Sequence, residues 1–231
     1  MHRDSHQISS QYSAQTSVGP AVILLAGSLG EVFAMAHHPT VQTSDVSQAV
    51  AQIARFSTLS AIIHGVLIAL MLSIAYGFVA FSVRQGLHRP LIRAGAIGYG
   101  CGVLGMVGAA LVSGFITTDL ASLLPHATAV DLQINRQLLL LCRVLNQSCA
   151  NFAVVAMSAG IFCWSLDLCR NPGLRRAVGM LGCLVGLVPA IALMFGEIHL
   201  DVRGMSQVVV AQAVWNIAVA ALMISSKRNK A

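Results

Sequence analysis

Charge is what this sequence has least of. Only 10% of its 231 residues are Asp, Glu, Lys or Arg, against about 25% in a soluble globular domain. So few charges cannot cover a water-facing surface, which excludes a soluble enzyme, a coiled coil and a disordered chain. Acids are the scarcer sign, with 8 Asp+Glu against 14 Lys+Arg and a formal charge of +6. Such an excess points to nucleic acid only when it forms a patch, and here the basic residues sit in short gaps between apolar runs. No nucleic-acid partner is expected. Several catalytic motifs are missing as well: there is no His-Glu-x-x-His, no Gly-x-Ser-x-Gly and no phosphate-cradling glycine loop. The six cysteines lie in or beside apolar runs with no disulfide or zinc-finger spacing, so they read as small packing residues.

What fills the chain instead is apolar sequence, 56% of residues, with a mean hydropathy of +0.76. A helix crossing the hydrocarbon needs about 20 mostly apolar residues. Six stretches qualify, at 18–37, 58–82, 91–118, 138–168, 175–196 and 204–226. Their apolar runs are continuous rather than of period two, which excludes a β-barrel. The expected fold is an all-α, polytopic membrane bundle of six transmembrane helices. It divides into a polar segment 1–17, a transmembrane domain 18–226 and a basic tail 227–231. Gly98, Gly102, Gly105 and Gly108, and Gly179, Gly182 and Gly186, let backbones approach closely and place spans three and five centrally. Pro189 is expected to kink span five.

Orientation follows from the basic residues. One side holds Arg3, Arg84, Arg89, Arg93, Arg170, Arg175, Arg176, Lys227, Arg228 and Lys230; the other holds Arg55, Arg136 and Arg203. The positive-inside tendency puts both termini in the cytoplasm. A multi-pass protein of a cell membrane is expected, with a bacterial inner membrane, and hence a periplasmic outer face, as the working assumption. In the outer loop, Ser44 and Asp45 precede Val46, Val50, Ile53 and Phe56, a cap and stripe that predict a short helix on the outer surface. Ala34-Met35-Ala36 has the form of a signal-peptidase site, but a polar leader and Glu31 inside the apolar run argue against cleavage.

The few polar residues are concentrated. Six of the eight acids and five histidines (His37, His38, His64, His126 and His199) fall in the outer half. Polar groups in hydrocarbon are costly and mark interiors, cavities or pathways. Glu31 and His38, seven apart, share one helix face. Arg143, Gln147 and Asn151 run at i, i+4 and i+8 with Asn146 on the flank, a stripe expected to face inward. Together these predict an outward pocket lined by Glu31, His64, Arg143, Asn146 and Asn151, with His38, Asp119 and Glu197 near its mouth. Arg143 would fix an anion or set the charge of Glu31. Imidazoles and carboxylates suit zinc or copper, with His37, His38, His64 and Glu31 as the candidate metal ligands. The expected function is binding of a metal ion or small polar ligand in the bilayer. A small transporter, or a non-catalytic accessory subunit meeting an oligomeric or membrane partner, is the alternative.

Overall fold

In a computed structural model, residues 18–39, 46–123 and 129–228 are described, the side chains of 46, 47, 129–132 and 226–228 excepted. The polar segment 1–17, the end of the basic tail, the cap residues Ser44 and Asp45, and His126 lie outside them.

The chain is all-helical over the described residues. Helix α1 spans Gly19–Ala36, α2 Val46–Arg55, α3 Ser57–Gln85 and α4 Pro90–Leu111. A π-helical turn, Val112–Ile116, joins α4 to α5, Thr117–Leu123. Then come α6, Ala129–Cys169, α7, Leu174–Met194, and α8, Val202–Arg228. Six of these helical stretches are long and apolar enough to cross a membrane, and the chain is a multi-pass membrane helix bundle. Their bounds follow local chemistry. Pro20 and Pro90 stand in the first turns of α1 and α4, where a missing N–H costs nothing. Gly86, at φ +96°, ends α3 in a backbone conformation that side chains rarely adopt. The short α2, in the connection between α1 and α3, is the helix its apolar stripe predicts.

The spans close into a ring in chain order: α1 packs on α3, α3 on α4, α4 on α6, α6 on α7, α7 on α8, and α8 returns to α1. In lipid no hydrophobic force draws helices together, so close packing and internal hydrogen bonds must hold them. Glycine supplies the closeness. Gly98, Gly102 and Gly105 of α4 and Gly160 of α6 bring those two backbones into contact, and Gly179, Gly182 and Gly186 do the same for α7 on α6. The glycine spans are nevertheless not the central ones. More of α6 and α8 is buried, because a glycine-lined helix presents one narrow seam while its other faces meet lipid.

Inside the ring, on the basic side, aromatic rings fill the space. Phe78, Trp164 and Trp215 form a triangle of near-parallel rings, Phe78 lying 4.8 Å from Trp164 and 5.3 Å from Trp215 and the two indoles 6.2 Å apart, and Phe81 and Tyr99 pack around them. Each indole N–H finds a carbonyl, Trp164 on Ile92 and Trp215 on Val178, both at 3.2 Å. Near the end of α6, Asp167 is buried and takes an ion pair of 2.6 Å from Arg89, the residue before α4. Asn216 of α8 donates to Ser28 of α1 at 3.0 Å, tying the first span to the last.

One helix differs from expectation. α6 has 41 residues, about 60 Å of helix against a hydrocarbon thickness of about 30 Å. Its first residues, 129–137, carry Asp131, Gln133, Asn135, Arg136 and Gln137, but no Gly or Pro interrupts them, so the helix starts before the continuous apolar run does.

Candidate functional site

The ring is open on the side opposite the basic loops. A cavity of about 140 Å³ lies there, lined from α1, α3, α4 with its π-turn, α6, α8 and the loops leading into them. Its polar lining comprises Glu31, His38, His64, Ser113, Asn146, Asp201 and Gln212. The rest is apolar and includes five methionines, Met35, Met71, Met106, Met157 and Met205. Drug-sized ligands occupy roughly 300–1,000 Å³, so this space suits a hydrated ion or a molecule of a few heavy atoms.

His64 is placed by the π-turn. Widening α4 by one residue at Val112–Ile116 sets Gly114 directly against the His64 side chain, where any Cβ would strike its Cβ and Cγ. Such turns favour functional positions because they re-aim a helix face. Two threonines cover the carbonyls the turn disturbs: Thr117 Oγ1 donates to Val112 O at 2.8 Å, and Thr118 Oγ1 to Gly114 O at 2.9 Å. His64 itself is buried, and its Nδ1–H donates to Ser60 O at 2.8 Å. That fixes the ring and turns Nε2 toward the mouth.

His38 waits there. Its Nδ1–H donates to Pro39 O at 2.9 Å, and its Nε2 lies 3.3 Å from Nε2 of His64. Burial lowers the His38 imidazole's pKa from its ordinary value, against the opposing pull of the Pro39 carbonyl. Asp201 completes the mouth and also caps α8, its Oδ1 accepting the Gly204 N–H at 2.8 Å.

Of the residues singled out in the sequence, Glu31, His38, His64 and Asn146 share this cavity. Arg143 and Asn151 do not line it; both are exposed on α6. The inward face of α6 carries Asn146, Ala150, Val154 and Met157, and Asn151 is turned about 140° from Asn146. Arg143, three residues before Asn146, is turned about 60° from it onto the exposed face of α6. It does not meet Glu31 in the cavity. Gln147, from the same stripe, tethers the loop before α8 by donating to Leu200 O at 3.0 Å.

The candidate metal set separates too. His37 is exposed, with Nδ1 donating to Phe33 O at 2.9 Å, and does not line the cavity. Among the described residues no three His, Cys, Asp or Glu gather as a metal-binding group. Asp119 and Glu197 are exposed and away from the mouth. Span five contributes nothing to the lining, whereas span six contributes Gln212. Gln212 reads in the sequence as interhelical glue; its spacing of four from Asn216 was the available signal that both face inward. No protein-family model, no curated protein and no solved structure matches this chain.

Proposed function

We propose that this membrane protein binds a small polar ligand or metal ion in the cavity, on the face opposite its basic loops. By the positive-inside tendency that face is the outer one, with segments 1–17 and 227–231 in the cytoplasm; in a bacterial inner membrane it is periplasmic. The observation that carries this reading is the meeting of Glu31 and His38 from the end of α1, His64 from α3 and Asn146 from α6 in one space. Polar groups within the bilayer are expensive, and their convergence on an accessible cavity is the arrangement a ligand would repay. Binding is favoured over passage. The turns below Gln212, Met71 and Met157 run directly into the Trp215, Phe78 and Trp164 stack, which fills the ring and closes the cavity toward the basic side.

Thermal unfolding of the purified protein against copper(I), zinc, acetate, phosphate and methylammonium tests this. At least one probe is expected to raise Tm, and the rise should vanish in Ser113→Leu, which puts apolar bulk into the cavity. No response to any probe, or an equal response in Ser113→Leu, contradicts it.

A further inference from the structure

His38 and His64 meet in a way their own hydrogen bonds leave unbalanced. Each Nδ1 lies on a backbone carbonyl, at 2.9 Å for His38 and 2.8 Å for His64. A carbonyl can only accept, so Nδ1 carries the proton in each ring. Both Nε2 atoms then present lone pairs, and they face each other at 3.3 Å. Such a pair repels unless a positive centre lies between the rings, either a shared proton or a metal ion.

The geometry separates the two. With nitrogen–metal bonds of about 2.0–2.1 Å, a separation of 3.3 Å corresponds to an angle of about 107° at the metal, close to tetrahedral. Ring centroids would then be about 5.1 Å apart, whereas a proton on a straight line between the nitrogens would put them about 5.6 Å apart. They are 4.9 Å apart, with the ring planes at 76°. That separation is close to the bent arrangement and well short of the straight one. The two Nδ1–H to carbonyl bonds are also the outer-shell partners that metal-ligating histidines usually have.

The walls indicate which metal. Zinc sites add carboxylate, thiolate or further imidazole ligands, and none gathers with this pair among the described residues. Five of the chain's nine methionines line the cavity instead. Thioethers are soft ligands that select copper(I). We propose that His38 and His64 hold a copper(I) ion between their Nε2 atoms at the cavity mouth, with a methionine sulfur from the wall as a further ligand. This rests on the reading of the cavity as a binding site and names its ligand.

The test is titration of the purified full chain with copper(I), under anaerobic reducing conditions, against a copper(I)-specific chromophoric chelator. One equivalent is expected to bind. His38→Ala and His64→Gln should each weaken binding at least tenfold, and X-ray absorption should show both nitrogen and sulfur neighbours. His38 lies in the loop after α1, so its removal leaves the packed helices intact, and an unchanged Tm verifies this. Copper binding that survives both substitutions, zinc binding tighter than copper at this pair, or a shell without sulfur overturns the assignment. Binding of neither ion overturns it in favour of a shared proton. A cavity that answers to acetate, phosphate or methylammonium but not to copper(I) overturns this inference alone, leaving the binding cavity standing.

Discussion

Replacing Arg89 by Ala is expected to destabilise the protein by about 3–5 kcal/mol, the cost of leaving a buried charge without its partner. The side chain of Asp167 is 1% exposed, and Arg89 reaches it at 2.6 Å from the turn that starts α4. The neighbours of Asp167 on α6, Leu168 and, one turn earlier, Trp164, are fully enclosed, while the Arg89 side chain is 32% exposed. Asp167→Asn in the same chain removes the charge that was stranded, and the double variant Arg89→Ala/Asp167→Asn should recover much of the loss. Unfolding in a denaturing detergent series measures both. A single variant as stable as the parent, or a double variant no better than the single, would show that the pair is only a surface contact.

Gly160→Leu is expected to prevent assembly of the ring. A Cβ at this position would lie 2.7 Å from the Tyr99 N and 2.8 Å from the Gly95 O. Those are backbone atoms of α4, which cannot step aside as a flexible side chain would. The two helices must separate, and Tyr99, Trp164 and Phe78 lose their contacts with one another. Even the single methyl of Gly160→Ala should cost about 1–3 kcal/mol by overpacking, and the bulk of Leu considerably more. Gly100, on the same α4 helix, meets nothing within 4 Å and is exposed. Gly100→Leu is therefore the control that should purify normally, while Gly160→Leu loses the monodisperse peak on size exclusion. Equal behaviour of the two would mean that the α4–α6 seam does not hold the bundle.

The same seam explains what the sequence does and does not disclose. Depth along a span can be counted at 1.5 Å per residue, so the six spans, the basic side and the placement of Glu31, His64 and Asn146 toward the opposite end are legible from the chain. Azimuth is not. Which side of α6 turns inward is decided where Gly98, Gly102 and Gly160 allow contact, and those glycines outweigh the polar stripe of Arg143 and Asn151. Likewise no spacing links His38 to His64. They are 26 residues apart in sequence, and their meeting depends on the turn at His37–Pro39 and on the π-turn that seats Gly114 against His64. A widened helical turn has no periodic signature to read.

The central claim is that the cavity opens to the face opposite the basic loops. Its most direct test is the reach of a membrane-impermeant thiol reagent to Ser113→Cys, in a background with the six native cysteines replaced. Ser113 lines the cavity, while His88, exposed in the turn between α3 and α4, marks the basic face. Reagent added to the outer face of sealed cells or vesicles should label Ser113→Cys and leave His88→Cys untouched, with the pattern reversed from the other side. Labelling of Ser113→Cys from the basic face alone, or from neither face, would contradict an outward-opening site.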